Sequence, residues 1–258
     1  GFPRFPWGPC GPPAPLSSSA SAQPPVALIT GASRGIGAAA ARAFAQAGYQ
    51  LLLLARSKPD LEQLAAELGS ATCRVETIAV DLADPQAIGP ALEDLLGRGL
   101  VPTVLINNAG AAYTGALAEM PLEQWQWLLQ LNLTSVLQTC QAVLPALRQT
   151  RGLIINVSSH AARNAFPEWG AYCTTKAALA SFSRCLAEEE RQHGIRVSTL
   201  TLGAVNTPLW DTETVHSSFD RRAMLTPERV AETLLSLAQQ PSSNVVEDIT
   251  LMPAAGVL

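Results

Sequence analysis

The chain has 258 residues, of which 48% are hydrophobic and 15% are charged. This size and composition suffice for one large α/β domain with a sizeable core, and they exclude a disordered or fibrous protein. The formal net charge of -4 at pH 7 leaves no basic surplus, so we expect neither a nucleic-acid partner nor electrostatic attraction to a membrane.

The first 25 residues differ in composition from the rest. They carry eight of the nineteen prolines and a serine-rich run at 17–21, which predicts a flexible tail before a folded domain at 26–258. They lack the apolar core of a secretory signal and any segment that could insert in a membrane. The five cysteines have no zinc-binding spacing, so we expect no metal site. They are typical of reduced side chains in a cytoplasmic protein.

From residue 26 onwards, short apolar runs alternate with longer amphipathic or alanine-rich stretches. We predict strands at 26–29, 50–55, 74–80, 104–107, 153–157, 196–202 and 248–251, and helices at 36–47, 61–68, 85–96, 122–147 with a break, 170–192 and 227–239. Runs that are apolar on both faces, separated by crossover helices, are typical of a covered parallel sheet. The sequence therefore predicts an α/β fold: a doubly wound, mostly parallel, Rossmann-like sheet of about seven strands in a single domain.

A glycine-rich stretch at 30–37 lies between the first strand and the first helix. Its glycines, Gly31, Gly35 and Gly37, allow a sharp backbone turn and leave room for a pyrophosphate against the helix N-terminus. Clusters of polar residues or glycine follow the other strands as well, at 56–57, 81–82, 107–110, 158–159 and 203–207. Because ligands of such sheets bind at the carboxyl ends of the strands, we expect a nucleotide site at this edge.

The second strand indicates which nucleotide binds. NAD-dependent sheets place Asp or Glu there for the ribose 2'-hydroxyl, whereas this strand ends in Arg56, with no carboxylate before Asp60. Arg56 offers planar donors to a 2'-phosphate, and Arg34 in the glycine turn could approach from the other side. The pair predicts NADP(H).

Tyr172 and Lys176 are one helical turn apart if the chain is helical from Gly170. A phenol has an ordinary pKa of about 10, and a nearby ammonium should lower it. The two residues therefore form a candidate proton-donating pair.

Several motifs occur together in one order: T-G-x-x-x-G-x-G at 30–37, N-N-A-G at 107–110, Asn132, Ser159 and Y-x-x-x-K at 172–176. With them the chain resembles the short-chain dehydrogenase/reductase family from about residue 26 to its end. The resemblance implies an NADPH-dependent carbonyl reductase that forms a homodimer or homotetramer. The implied small-molecule substrate is a ketone or aldehyde, reduced to its alcohol.

The resemblance also implies roles for individual residues. The catalytic set is Asn132, Ser159, Tyr172 and Lys176: Tyr172 donates the proton, Ser159 holds the substrate oxygen, Lys176 binds the nicotinamide ribose and lowers the Tyr172 pKa, and Asn132 places a water. Ser158 competes with Ser159, but Ser159 has the spacing to Tyr172 that the resemblance supports. The cofactor-binding residues are Gly31, Ser33, Arg34, Gly35, Ile36, Gly37, Arg56, Asp81, Leu82, Asn108, Ala109, Gly110, Tyr172, Lys176, Gly203, Val205 and Thr207.

One departure and two alternatives accompany this interpretation. Leu202 replaces the proline that the family often has before Gly203, which leaves the nicotinamide pose less defined. The segment 208–226 is a candidate lid over a moderately hydrophobic substrate. The C-terminal segment lacks the longer glycine-rich ending of ketoacyl-carrier-protein reductases, so that activity is the second substrate class. A catalytically silent NADPH-binding regulator is the other alternative.

Other residues invite assignments that we do not favour. A hydrolytic triad through His160 would need a G-x-S-x-G elbow, and adjacent residues at a strand end usually point in different directions. Trp125 and Trp127 are expected in the core or at a subunit contact. Cys173 is expected to be a packing residue.

Overall fold

The computed structural model describes residues 23–256 of the chain. Residues 1–22 of the predicted tail therefore lie outside the described residues. Among those described, no helix combines the length and the apolar character needed to cross a bilayer.

Seven parallel strands form one sheet in the order β3-β2-β1-β4-β5-β6-β7. The strands are β1 (Val26–Thr30), β2 (Gln50–Ala55), β3 (Val75–Ala79), β4 (Val104–Asn107), β5 (Leu153–Ser159), β6 (Arg196–Leu202) and β7 (Asp248–Leu251). The helices are α1 (Gly35–Gln46), α2 (Lys58–Leu68), α3 (Ile88–Leu96), α4 (Leu122–Leu129), α5 (Ser135–Thr150), α6 (Gly170–Glu190) and α7 (Pro227–Ala238). The predicted doubly wound, Rossmann-like sheet is confirmed.

Helices cover both faces of the sheet. On one face, Ile29 of β1 packs in a cluster with Phe44 of α1 and Val230 of α7. On the other face, Leu28 packs with Leu92 of α3 and Val143 of α5. All six side chains are fully buried, and burial of each contributes about 2 to 3 kcal/mol. The central strands β1, β2 and β4 are therefore largely apolar because both faces are core, whereas the edge strands β3 and β7 are partly exposed.

Some element boundaries differ from the predicted ones for local reasons. Helix α2 begins three residues earlier than predicted because the Ser57 hydroxyl accepts a hydrogen bond from the Asp60 N–H (3.3 Å) and caps the helix. Helix α3 begins three residues later because the Asp84 carboxylate accepts from the Gln86 N–H (2.9 Å) and holds a turn there. Strand β5 is two residues longer because Ser158 pairs with β6 and carries the ladder on through residue 159.

The break predicted within 122–147 is a π turn at Gln130–Thr134, between α4 and α5. Such a turn replaces the i to i-4 pattern by a wider one, and π turns are frequent at functional sites. Asn132 lies at its centre.

The order of the strands reverses between β1 and β4. A crevice forms at the carboxyl ends of the strands where the crossovers diverge to opposite faces, and this is where ligands bind in such folds. The loops after β1, β4, β5 and β6 all reach this edge.

Candidate active site

A cavity of about 1290 Å³ lies along the carboxyl edge of the sheet. Pockets for drug-sized ligands have about 300 to 1,000 Å³, so this one has room for a dinucleotide together with a small second ligand. The predicted site residues that line it are Gly31, Ser33, Arg34, Gly35, Ile36, Arg56, Leu82, Asn108, Ala109, Gly110, Ser159, Tyr172, Lys176, Gly203, Val205 and Thr207. Three predicted residues do not line it: Gly37, Asp81 and Asn132.

The glycine turn depends on each of its glycines. Gly31 and Gly35 have φ angles of +63° and +56°, the left-handed region that favours glycine. A Cβ on Gly37 would lie only 2.0 Å from the Gly31 carbonyl oxygen. The turn therefore closes tightly against the start of α1.

The N-terminus of α1 is open to an anion. Its N-cap residue, Arg34, makes no side-chain capping bond, and the first turn has no acidic residue. The unpaired N–H groups and the positive end of the helix dipole therefore remain available to a phosphate.

Asn108 supports the glycine turn from the neighbouring strand. Its side-chain amide donates to the carbonyl oxygens of Thr30 (3.1 Å) and Gly31 (3.3 Å). In return, the Thr30 hydroxyl accepts from the backbone N–H groups of Asn108 and Ala109, both at 3.0 Å. Asn108 thus lines the cavity and also fixes the loops after β1 and β4 to each other.

The two arginines meet the cavity as predicted. Arg34 and Arg56 are exposed, and both line it. Neither makes an ion pair within residues 23–256, although the carboxylate-bearing Asp60 lines the same end. Asp81 lies outside the lining: it is exposed after β3, where its carboxylate accepts from the Ala83 N–H (2.9 Å).

Tyr172, Lys176 and Ser159 converge at the other end of the cavity. Because α6 begins at Gly170, Tyr172 and Lys176 lie one turn apart, and the Lys176 Nζ is 5.6 Å from the centre of the Tyr172 ring. The same Nζ donates to the Val157 carbonyl oxygen of β5 (3.2 Å), which orients the lysine towards the end of that strand. Ser159 is the last residue of β5, and its hydroxyl accepts from the Ala161 N–H (3.1 Å).

Burial shifts the pKa values of both titratable groups. Removal from water raises the pKa of the Tyr172 phenol to about 12, opposed by the Ser159 hydroxyl, and lowers the pKa of the Lys176 ammonium to about 8. Desolvation disfavours the charged form of each group. The prediction of a lowered Tyr172 pKa is therefore wrong in this structure, because burial is the largest effect on the phenol. The part that Lys176 plays in the Tyr172 pKa stays a prediction.

Asn132 is buried beside this group rather than exposed in the cavity. Its Oδ1 accepts from the Ala111 N–H (2.8 Å), and its Nδ2 donates to the Ala111 carbonyl (2.8 Å) and the Thr175 hydroxyl (3.1 Å). A Cβ on Gly110 would lie 3.2 Å from Asn132 Oδ1 and 3.8 Å from Lys176 Nζ. Asn132 therefore ties the π turn to α6 and to the loop after β4. Its predicted role in placing a water stays a prediction.

Aromatic side chains form part of the cavity wall. The rings of Trp169 and Tyr172 are 5.7 Å apart, those of Trp169 and Trp210 are 5.8 Å apart, and those of Trp210 and Phe219 are 5.7 Å apart. These are favourable distances for tilted or edge-to-face aromatic pairs. The candidate lid, residues 208–226, supplies Trp210 and Phe219 and so packs against the helix that carries Tyr172.

The lid is anchored to the loop after β6. The Arg221 guanidinium donates to Asn206 Oδ1 (2.7 Å), the Thr207 carbonyl (2.9 Å) and Asp211 Oδ1 (2.6 Å). The Trp210 Nε1 also donates to the Val205 carbonyl (2.8 Å). The lid is thus held against the loop that contains three of the predicted cofactor contacts, Gly203, Val205 and Thr207.

Several lining residues were missed or misplaced by the sequence analysis. Trp127 is half-buried and lines the cavity, so the prediction that it lies in the core is wrong, and a subunit contact of Trp127 stays a prediction. Trp125 is half-buried and outside the lining. Trp169 was not predicted, although it lies three residues before Tyr172, a spacing that places side chains side by side at a helix start. His160 lines the cavity together with Ser159, because β5 ends at Ser159 and a 3-10 turn begins at His160. Both residues therefore contribute to the wall of the same cavity.

The comparisons with known proteins agree with this geometry. The family model described as short chain dehydrogenase matches residues 25–217. Serine 3-dehydrogenase of Rhizobium radiobacter is 32% identical over 233 residues, which are 88% of this chain and 92% of that protein.

Two solved structures are similar in fold and sequence. An alcohol dehydrogenase from the archaeon Thermococcus sibiricus, complexed with 5-hydroxy-NADP, has a TM-score of 0.82 and 32% identity, covering 89% of this chain and 97% of its own. L-Sorbose reductase from Gluconobacter frateurii, complexed with NADPH and L-sorbose, has a TM-score of 0.80 and 28% identity, covering 89% and 95%. The family match spans most of the chain, and the cavity contains the residues that the family resemblance implied. The chain belongs to the short-chain dehydrogenase/reductase family.

Proposed function

We propose that the protein is an NADP(H)-dependent oxidoreductase that reduces a ketone or aldehyde to an alcohol, with Tyr172 as the proton donor. The observation that carries this proposal is the convergence of Ser159, Tyr172 and Lys176 on one cavity whose other end is the glycine turn. Hydride acceptance and proton transfer need a cofactor, a proton donor and a carbonyl within one site. The cavity has room for all three.

The cavity fits NADP(H) in shape and charge. The glycine turn and the open N-terminus of α1 suit a pyrophosphate. Arg34 and Arg56, which make no ion pair with any other described residue, lie at the end where a 2'-phosphate would lie. Asp60 at the same end is the feature least suited to a phosphate. The complexes of the alcohol dehydrogenase with 5-hydroxy-NADP and of the L-sorbose reductase with NADPH support the same cofactor.

The choice between the two nicotinamide cofactors is tested by removing both guanidinium groups. Each charge-assisted hydrogen bond to a phosphate is worth about 1.5 to 3 kcal/mol, so we expect Arg34→Ala with Arg56→Ala to weaken NADPH binding by at least about 100-fold. NADH binding should change little. Arg229→Ala, on the exposed side of α7, is the matched control. Equal losses for NADPH and NADH in isothermal titration would refute the 2'-phosphate assignment.

When bound, NADPH supplies the hydride to the carbonyl carbon. This chain supplies the proton and holds the oxygen. The Tyr172 hydroxyl donates its proton to the substrate oxygen as negative charge develops there, and the Ser159 hydroxyl donates a hydrogen bond to the same oxygen. Ser159 accepts a hydrogen bond from the Ala161 N–H, so its own proton remains free to be donated.

The raised Tyr172 pKa favours reduction. A proton donor must be protonated, and a phenol with a pKa of about 12 is fully protonated at neutral pH. Oxidation of an alcohol needs the phenolate instead, so we expect that direction to accelerate as pH rises. Lys176, with its pKa lowered to about 8, loses its proton at a lower pH than Tyr172 does. While it is protonated, it can pass a proton to the site through its neighbours.

Removal of the phenol hydroxyl tests the proton donor. We expect Tyr172→Phe to bind NADPH normally, as judged by titration, and to lose at least about 100-fold in kcat, since general acid catalysis is worth about 10² to 10⁴. Tyr49→Phe is the matched control, because Tyr49 is buried against Phe44 away from the cavity. Near-normal carbonyl reduction by Tyr172→Phe would show that another group donates the proton.

Two further points bear on the alternatives. A catalytically silent regulator has no need for the complete Ser159, Tyr172 and Lys176 set, and NADPH consumption with a panel of ketones and aldehydes decides between the two. Oligomer formation is supported by Leu122 and Leu137, which are 67% and 42% exposed on α4 and α5. Sedimentation of a monomer would remove the proposal of a homodimer or homotetramer.

A further inference from the structure

His160 has no part in the mechanism above, yet it lines the same cavity directly beside Ser159. It starts the 3-10 turn His160–Ala162. Its carbonyl oxygen accepts from the Arg163 N–H (3.0 Å) and from the Asn164 side chain (2.8 Å). The backbone that carries the imidazole is therefore fixed by hydrogen bonds on its carboxyl side.

The imidazole ring of His160 is positioned by packing, and its two nitrogens are not engaged by hydrogen bonds from the described residues. It is half-buried and lies 5.3 Å from the Phe166 ring, centre to centre. Neither ring nitrogen has a hydrogen-bond partner within residues 23–256, and Nδ1 is buried. Buried polar atoms of proteins are nearly always paired, so a ring in this condition is the kind of group that a ligand completes.

Burial also determines the charge of the ring. It lowers the pKa of His160 below the ordinary 6.5, so the imidazole is neutral at pH 7 and carries one N–H. A buried N–H without an acceptor is less well tolerated than a buried acceptor without a donor. The proton is therefore assigned to Nε2, and the buried Nδ1 keeps its lone pair. The open nitrogen is then a donor beside the serine that holds the reacting oxygen.

We propose that His160 is a specificity-determining residue whose Nε2–H donates a hydrogen bond to a second oxygen of the substrate, on the carbon next to the reacting carbonyl. The preferred substrates are then uncharged α-oxygenated carbonyl compounds, such as α-hydroxy ketones. This inference rests on the proposed carbonyl reduction.

The charges around the cavity fit an uncharged second oxygen rather than a carboxylate. Glu168 and Glu213 line the substrate half and make no ion pair among the described residues. Asp211 lines it too, paired with Arg221. With a neutral imidazole, the carboxylate of an α-keto acid would meet these like charges, and the one lysine of the lining, Lys176, already donates to the Val157 carbonyl.

Two ketones of nearly equal shape test the inference: 2-hydroxyacetophenone, and propiophenone, which has a methyl group in place of the hydroxyl. The measured quantity is the ratio of their kcat/KM values, compared between wild type and variants, because intrinsic reactivity cancels in that comparison. We expect His160→Phe to lower the ratio by about tenfold, the worth of one neutral hydrogen bond in a site that leaves its partner unpaired. His160→Gln, which keeps a side-chain N–H donor, should retain most of the ratio.

The control is His193→Phe, an exposed histidine at the end of α6, which should change neither the ratio nor the rates. Equal ratios in wild type and His160→Phe would overturn the inference.

Binding to the enzyme loaded with NADP⁺, followed by tryptophan fluorescence, gives the same preference without turnover. Equal affinities of wild type for the two ketones would also overturn the assignment to His160. A preference for the hydroxy ketone that His160→Phe abolishes, but without any reduction, would support the His160 contact and count against the proposed function alone.

Discussion

Lys176 is a buried amine whose cost to the fold can be measured. The change of its pKa from 10.5 to about 8 corresponds to about 3 kcal/mol against the protonated form, since one pKa step is about 1.4 kcal/mol. Lys176→Met keeps most of the volume and removes the charge, but it also removes the hydrogen bond to the Val157 carbonyl, worth about 1 kcal/mol. We therefore expect the variant to be more stable near pH 7 by about 2 kcal/mol.

The pH dependence gives the sign of this effect. Because the folded pKa of Lys176 is depressed, its favourable contribution is fully present above the unfolded value of 10.5 and is lost as the pH falls through about 8. The advantage of Lys176→Met should therefore be largest below pH 8 and shrink between pH 8 and 10.5. Tyr172 titrates in the opposite sense above its ordinary pKa, but it is present in both proteins.

Urea denaturation of wild type and variant without cofactor, near pH 7 and near pH 10.5, measures the difference. In thermal unfolding the gain near pH 7 amounts to about 4 to 8 °C for a chain of this size. The same variant should lose carbonyl reduction, because Lys176 belongs to the proposed catalytic set. Such a residue is often kept at the expense of stability. Lys58→Met is the control, since Lys58 is 75% exposed and should show no such pH dependence. The reasoning would be refuted if the variant were less stable than wild type at pH 7. It would also be refuted if the difference in unfolding free energy between variant and wild type were the same at both pH values.

Two further substitutions test the packing around the site and a buried ion pair. Gly37→Ala places a Cβ 2.0 Å from a carbonyl oxygen of the glycine turn, so it should cost at least about 3 kcal/mol of stability and abolish NADPH binding. Gly89→Ala in α3 is the control: a Cβ there meets nothing within 4 Å, and the substitution should stabilise by about 0.5 to 1 kcal/mol. A Gly37→Ala protein with a normal urea midpoint and normal NADPH affinity would contradict this prediction. Arg148→Ala leaves the Glu190 carboxylate, 5% exposed, without its two hydrogen bonds of 2.9 and 2.6 Å and should cost about 2 to 3 kcal/mol. Because Arg148 holds the Glu190 pKa below 4.5, the stability loss in Arg148→Ala should fade as the pH drops below this value. Arg191→Ala is the control: it breaks only a surface pair and should cost less than about 1 kcal/mol.

The comparison of sequence and structure shows where local patterns suffice. The alternation of apolar runs and amphipathic stretches predicted all seven strands. The signal is strongest for β1, β2 and β4, because strands that are buried on both faces are largely apolar. The turn at 30–37 was predictable for the same kind of reason: its glycines are required by steric limits that act within the turn itself. The family motifs then identified Ser159, Tyr172 and Lys176 without any knowledge of distance.

The sequence by itself therefore determined the fold class and indicated the candidate nucleotide edge and the candidate catalytic residues, since each motif consists of residues close together in the chain. The tertiary structure alone decided the environment of those residues. Burial from several elements raised the Tyr172 pKa where a neighbouring charge had suggested a lower one. Packing of the lid against α6 brought Trp210 to Trp169. Strand β5 ends at Ser159, and His160 therefore lines the same cavity. No local sequence pattern predicts this placement, because the end of β5 depends on how far β6 pairs with it.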